Sequence, residues 1–337
     1  MENRKVMLLG RSSLVVSLPK DWTDLNNVNQ GDELSLEVQG DQSLLVYPTI
    51  EEEEDRSNMT LYIDADEDKT SIARSIIACY LNGYSHIKLI SRKIFSTPQQ
   101  REIRRIARIL YIRIIESDSK TIKMNTLVDE SKTSALSNLK RMHMICMSMC
   151  NDALNALLNN DSELAKTVYS LDDDVDQFCF FILRLLRSVA MDMRKARQLN
   201  LSPIDAQDYQ VLVYRIEHVA DQAAMIAKHV ILLKSEDLKI PDSLVKLIHS
   251  AGKQAVNAYE RSMDSFFSGD VSQCNDIINQ QDELEETDRE IASKAFLDYD
   301  MKAITVCSVC SLRDAITRIG SWAASIAETA VLRSYTG

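Results

Sequence analysis

Glycine and proline are scarce, eight and five among 337 residues. That shortage excludes collagen-like and turn-dense all-β architectures, which need both. Aromatic residues make up only 6%, which leaves Leu, Ile, Ala and Met to fill the cores, the residues that favour helices. Positive charge is the minority sign: 39 Lys and Arg stand against 50 Asp and Glu, a net charge of −11. Nucleic-acid binding therefore cannot rest on global charge and needs a local basic surface. The longest apolar run, Phe178 to Val189, is interrupted by Arg184 and Arg187, so no membrane insertion is expected. The seven cysteines are odd in number and scattered through apolar runs. With no signal-peptide pattern, they read as free, buried thiols of a cytoplasmic protein. Cys307 and Cys310 form a lone CxxC and Cys146 and Cys150 a CxxxC, neither with a second pair or a histidine at zinc spacing. Also missing are a G-x-x-x-x-G-K-S/T loop, an H-E-x-x-H helix, a nucleophile elbow and any E-x-x-H pair. On these absences the chain reads as not an enzyme.

What is present falls into three regions. Residues 1–50 carry short β-rich runs, Val6 to Leu9, Leu14 to Leu18, Leu34 to Val38 and Leu44 to Tyr47. Gly10, Gly31-Asp32 and Gly40-Asp41 separate them as turns, and Pro19 is placed to start one short helix through Trp22 and Leu25. So small a module barely buries a core and needs a partner subunit. An acidic linker, 51–58, leads into residues 59–128, where strand and helix alternate in a small α+β domain. Asp66 or Asp68 is the candidate cap of its first helix and Thr97-Pro98 the start of its second.

That second helix places Arg101, Arg104, Arg105 and Arg108 at i, i+3, i+4 and i+7, one stripe opposite an apolar face of Ile103, Ile106, Ala107 and Leu110. Two readings stand for the stripe: a surface for DNA, anionic lipid or an acidic protein, or a solvated face paired to the protein's own acidic helices.

From Asp129 onward the periodicity is helical, with breaks near Asn159-Asn160, Asn200 to Asp205, Glu236 to Asp242, Gly269-Asp270 and Tyr299-Asp300. The spacing predicts six helices of roughly seven turns each, in two bundles of three. Ser162, Ser202-Pro203 and Pro241-Asp242 are the candidate helix starts. The two bundles, 129–236 and 237–337, are imperfect copies. NNDSELAKTVYSLDDDVDQF aligns with FSGDVSQCNDIINQQDELEET, setting Asp161 on Asp270, Asp172 on Gln281, Val175 on Leu284 and Asp176 on Glu285. RIEHVADQAAMIAKHVIL aligns with AITRIGSWAASIAETAVL, setting Glu217 on Thr317 and Asp221 on Ser321.

Residues four apart share a helix face, so Asp172 with Asp176 and Glu217 with Asp221 make two carboxylate pairs on neighbouring helices. If those faces converge, four carboxylates repel and raise one another's pKa unless a cation intervenes. An all-oxygen set suits Mg, Mn, Ca or iron, and Asp173 and Asp174 add to the field. The plain alternative is an acid-rich solvated surface. His218 and His229 lie on the same helix, and His218 reads as a surface or interface residue before a ligand.

The residues also carry two family resemblances. RKVMLLGRSSLVVSLPKDW with VNQGDELSLEV and LLVYP resembles the AbrB/SpoVT swapped-hairpin domain through its GxSS turn, SLPKDW junction and GDEL turn. That resemblance implies a homodimer of interleaved hairpins, with Arg4, Lys5, Arg11 and Lys20 facing DNA. Asp21, Asp24, Asp32, Glu33, Glu37 and Asp41 oppose it electrostatically, and a dimerisation module without DNA binding is the other reading. LLNNDSELAKTVYSLDDDVDQF and YRIEHVADQAAMIAK, with their counterparts in the second half, resemble the two repeats of PhoU. The resemblance implies a cytoplasmic regulator of phosphate uptake that binds metal (iron, Mn, Mg, Ca or Zn) through paired acidic motifs. Asp172 and Asp176 match one motif and Glu217 with Asp221 the other, while the second repeat keeps the packing residues Arg318-Ile319-Gly320 and loses most ligands.

The expected fold is mainly α: a duplicated PhoU-like bundle of six long helices, preceded by a swapped-hairpin β module and an α+β connector. The domain order is similar to archaeal regulators of phosphate uptake. The expected function is a dimeric, DNA-binding phosphate-uptake regulator whose bundle senses metal, phosphate or a partner. The alternative is an adaptor without DNA binding, docked on a phosphate transporter or a signalling protein. A metal-dependent hydrolase is a distant third.

Overall fold

The structure is a computed structural model that describes residues 3–38, 42–48, 58–64, 66–127, 133–297 and 301–335. The chain packs into two units that divide between Ser57 and Asn58. It is mainly helical, with a small β module ahead of the helices.

The first unit holds two antiparallel hairpins. Strands β1 (Met7–Leu9) and β2 (Ser13–Val15) pair Met7 with Val15 and Leu9 with Ser13. Gly10 turns between them at φ 70°, a region that disfavours any side chain. The second strand stops at Val15, short of the Leu18 expected, because the chain must turn at Pro19 into α1 (Lys20–Leu25). Strands β3 (Leu34–Val38) and β4 (Leu44–Pro48) form the second hairpin, which shares no ladder with the first. Its expected Gly40-Asp41 turn, Tyr299-Asp300 and the acidic linker's Glu51 to Ser57 lie outside the described residues. None of this unit's described residues is buried, and Leu14 and Val38 are 71% and 75% exposed.

The second unit begins with a four-stranded sheet in the order β5-β6-β8-β7. Strand β5 (Asn58–Ile63) runs parallel to β6 (His86–Ser91), joined by the crossover helix α2 (Lys69–Leu81). Helix α3 (Thr97–Ile109) leads to the hairpin of β7 (Ile112–Ser117) and β8 (Thr121–Thr126). Ile72, Ile76 and Tyr80 of α2 and Ile103 and Ile106 of α3 join Leu89 and Met124 of the sheet in one core. Asp68 caps α2 by accepting from Thr70 N at 2.9 Å. The cap of α3 is Ser96, one residue ahead of the expected Thr97. Gln99, three residues on, returns a bond to Ser96 N at 2.9 Å and closes a capping box.

The remainder is a helical bundle: α4 (Ala135–Asn159), α5 (Ser162–Met191), α6 (Met193–Gln198), α7 (Pro203–Ser235), α8 (Asp242–Ser268), α9 (Cys274–Leu297) and α10 (Ala303–Ser334). The six long helices are those expected, and α6 is an addition. Asp192 accepts from Arg194 N at 2.9 Å and restarts the helix where the sequence had shown only the later break. Asp161, not Ser162, caps α5, accepting from Glu163 N and Leu164 N. Ser202 and Asp205 form a capping box at the start of α7.

Helices α4, α5 and α7 pack together, as do α8, α9 and α10; α4 also meets α8 and α7 meets α10. The two three-helix units therefore share one hydrophobic core instead of keeping two. Five cysteines are buried as expected, but Cys307 is exposed and Cys310 half-buried, and the described cysteines are free. No helix among the described residues is long and apolar enough to cross a membrane.

Arg184, which breaks the long apolar run, is buried at 3% exposure. It donates to the carbonyl oxygens of Tyr80, Gly83 (3.0 Å) and Tyr84 (3.1 Å), and lies 4.8 Å from the Tyr80 ring centroid. Arg187 adds a bond to Asn82 Oδ1 at 2.8 Å. The carbonyls lie at the C-terminal, negative dipole end of α2 and in the turn after it, where a cation is favourable. Helix α5 is thereby fixed to the sheet domain.

Candidate metal centre

Helix α5 carries Asp172, Asp176 and Cys179 at i, i+4 and i+7, and α7 carries Glu217 and Asp221 at i and i+4. The two helices pack against each other, with Val175 and Val219 buried beside the acidic positions. Burial raises Asp176 to about 7, and the charges of Asp172, Glu217 and Asp221 add to it. Burial likewise raises Asp172 to about 6, with Asp221 and Asp173 adding, and Glu217 to about 7, with Asp221 and Asp172 adding. Asp221 is raised by burial and relieved by His218. Carboxylates of both helices thus share one repulsive field.

The tight cluster within that field lies on α7. Ligand atoms of Glu217, His218 and Asp221 fall within 4.8 Å of one another, and His218 Nδ1 is 2.7 Å from Glu217 Oε2. Asp172 and Asp176 stand outside this group while sharing its field. The sequence had set His218 aside as a surface or interface residue. It is an interface residue, its ring 5.2 Å from that of Trp322 on α10, and it also belongs to the cluster.

Cys179 was missed as well. It is buried, and burial pushes its thiol well up, with Glu217, Asp176 and Asp221 adding. Its i+7 spacing from Asp172 was the available signal. The donor chemistry fits a divalent cation: the half-buried carboxylates of Asp172, Asp176 and Glu217, the exposed one of Asp221 and an imidazole, with no Lys or Arg ion-paired to any of the four acids among the described residues.

The arginine stripe borders this site. Arg108 Nη2 pairs with Asp173 at 3.1 Å and Arg105 approaches it at 3.8 Å. Gln177 donates to the Arg108 carbonyl at 3.4 Å. Arg105 also binds Glu102 at 2.8 Å. Half of the stripe is therefore engaged by the protein's own acids, whereas Arg101 and Arg104 are exposed and without an ion pair among the described residues. In the first unit Arg4, Lys5, Arg11 and Lys20 are all exposed. Arg4 and Lys5 precede β1, Arg11 lies in the turn between β1 and β2, and Lys20 opens α1.

The second repeat holds a different arrangement at the equivalent positions. Gln281 Nε2 donates to Ser321 Oγ at 3.1 Å, where Asp172 and Asp221 stand in the first repeat. Glu285 is exposed. Asp288 is bound by Arg313 through two contacts of 2.7 and 2.6 Å, so its charge is met from within. A Cβ on Gly320 would lie 2.9 Å from Gln281 Oε1 and closer still to Leu284 Cδ2, so any side chain there forces the ends of Leu284 and Gln281 to shift.

Residues 139–230 and 248–330 match the PhoU domain family, one segment in each repeat. Residues 8–54 match the family described as antidote-toxin recognition MazE, bacterial antitoxin, the class of module that the AbrB-like resemblance had indicated. A phosphate-specific transport system accessory protein PhoU homolog of Pseudomonas aeruginosa is 26% identical over 229 residues, covering 65% of this chain and 89% of that protein. Its Pseudomonas putida counterpart is 26% identical over 229 residues, covering 65% and 84%. The crystal structure of PhoU from P. aeruginosa superposes with a TM-score of 0.51 at 24% identity, over 58% of this chain and 93% of that one. The phosphate transport system regulatory protein PhoU from Streptococcus pneumoniae gives 0.51 at 17%, over 60% and 94%. These structural likenesses speak to the fold, and the sequence match to both repeats speaks to descent: the chain belongs to the PhoU family.

Proposed function

We propose that this protein is a regulator of phosphate uptake in which a divalent cation bound at one acidic site sets the packing of the first repeat. The observation that carries this reading is the PhoU match across both repeats, together with the mutually repelling carboxylates of only one of them. Asp172, Asp176, Glu217 and Asp221 would hold the ion, whose charge would offset the mutual repulsion that His218 and Arg105 relieve only in part. The role is regulatory instead of catalytic. The N-terminal module would join two chains, and its Arg4, Lys5, Arg11 and Lys20 would contact DNA phosphates.

Metal analysis of the full-length protein against Asp221→Ala tests the ion. Wild type is expected to retain metal after gel filtration and the variant to lose it, and equal metal contents would sink the reading. Titration of a promoter fragment at several salt concentrations tests the DNA contact. A steep salt dependence that flattens when Arg4 and Arg11 become Ala supports it, and absence of binding at low salt removes it.

A second reading is favoured by one observation: Asp21, Asp24, Asp32 and Glu33 are exposed on the same module. In that reading the protein is an adaptor without DNA binding, and a phosphate transporter or a signalling protein is its partner.

A further inference from the structure

The alignment of the two repeats sets His218 of α7 on Arg318 of α10. The two residues behave differently. Arg318 is exposed and pairs one turn back with Asp314 at 2.9 Å, a helix-surface pair. His218 has Tyr214 one turn back and instead folds toward its neighbour Glu217 at 2.7 Å. Its ligand nitrogen, a Glu217 oxygen and an Asp221 oxygen lie within 4.8 Å of one another. One ion with bonds of roughly 2.0–2.2 Å spans donors up to about 4.4 Å apart, so rotamer shifts of a few tenths of an ångström would close the set around it.

The ring is also held in place. Trp322, on the third helix of the other repeat, lies 5.2 Å from the His218 ring at a 38° tilt. Arg215, three residues before His218, covers the same indole at 4.3 Å. The equivalent of Trp322 on α7 is Gln222, so only the first repeat's site receives an aromatic support from its neighbour. Side-chain exposures of 42% for His218 and 24% for Glu217 leave the cluster open to an ion from solvent.

We propose that His218 is a metal ligand of the first repeat's acidic site. Its imidazole completes, with Glu217 and Asp221, a mixed nitrogen–oxygen set that selects a first-row transition ion over magnesium or calcium. Trp322 is a positioning residue that fixes the ring. This rests on the reading of the acidic set as a cation site and adds the class of ion it takes. Oxygen-only sets suit magnesium and calcium, whereas imidazole suits zinc, cobalt, nickel and iron.

The test uses the chelator-stripped full-length protein and its His218→Gln variant, titrated separately with Zn2+, Co2+, Mg2+ and Ca2+. Wild type is expected to bind Zn2+ and Co2+ more tightly than the other two. The variant should lose Zn2+ affinity by more than the roughly 10–100-fold that accompanies loss of an outer-shell partner. Its Mg2+ binding should stay where it was, and the visible absorption of the Co2+ complex should change. Trp322→Phe should give a smaller loss with the same direction. Matching circular dichroism of the metal-free proteins shows that the variants are folded. Wild-type Zn2+ affinity and an unchanged Co2+ spectrum in His218→Gln would overturn the ligand role and leave the acidic-site reading standing. Failure of wild type to bind any of the four ions would overturn both.

Discussion

A carboxylate among carboxylates holds its proton longer when folded than when free, and Asp172, Asp176 and Glu217 do so at about 6, 7 and 7. Their ordinary values are 3.8, 3.8 and 4.5, so between about pH 4 and 7 the unfolded chain binds fewer protons than the native one. Stability of the metal-free protein therefore falls as pH rises through that window. The neighbours entering this balance are Asp173, Asp221, His218 and, from α3, Arg105. Thermal melts in chelator should show a lower Tm at pH 7.5 than at pH 5. Asp176→Asn should raise the Tm at pH 7.5 while matching wild type at pH 5. The opposite slope would contradict a shared repulsive field. Gly320→Ala makes a steric prediction: overpacking against Leu284 should cost about 1–3 kcal/mol in urea unfolding. The closeness of the four acids in one field was legible because i, i+4 spacing marks a helix face. His218 and Cys179 were not, because the azimuth at which α7 meets α5 and α10 is set by packing that no spacing records.

Helix boundaries were legible wherever a residue has one dominant conformational use. Asn160 at φ 50° and Gly269 at φ 77° end α4 and α8 at positions one before the aligned Asp161 and Asp270. Both take the left-handed cap conformation that ends a helix. Capping residues slipped by one at Ser96 and Asp161, because either of two adjacent polar residues satisfies the same pattern and only the bonds the side chain accepts decide. The function of Arg184 was hidden. In sequence it interrupts an apolar stretch, and in the structure it collects three carbonyls at the end of α2. Arg184→Met keeps most of the volume and removes the donors. It should cost about 3 kcal/mol by leaving buried acceptors unpaired. Hydrogen exchange should rise in residues 69–91 before it rises in α7. Uniform exchange across both would show that α2 does not depend on this anchor.

For the molecule as a whole, duplication was readable from the chain, but the sharing of one core by both repeats was not, since α4–α8 and α7–α10 contacts join residues far apart in sequence. The N-terminal unit poses the complementary problem. Its hairpins expose Leu8, Leu14, Leu36 and Val38 and bury nothing among the described residues, more apolar surface than a stable single copy leaves in water. A second chain covering it, as proposed above, would make thermal unfolding concentration-dependent. Light scattering of the full-length protein should give twice the chain mass, and Leu14→Asp should shift it toward one chain. A monomeric wild type at micromolar concentration would contradict this.

The amide–hydroxyl bond between Gln281 and Ser321 has a consequence for how the molecule responds to its surroundings. A neutral bond is indifferent to pH, so Gln281 and Ser321 join α9 to α10 unchanged where the equivalent Asp172 and Asp221 of α5 and α7 titrate, while the ion pair of Asp288 with Arg313 adds to α9 and α10. A change of pH therefore acts on the first repeat more than on the second, and the first is the repeat whose α5 is anchored to the sheet domain.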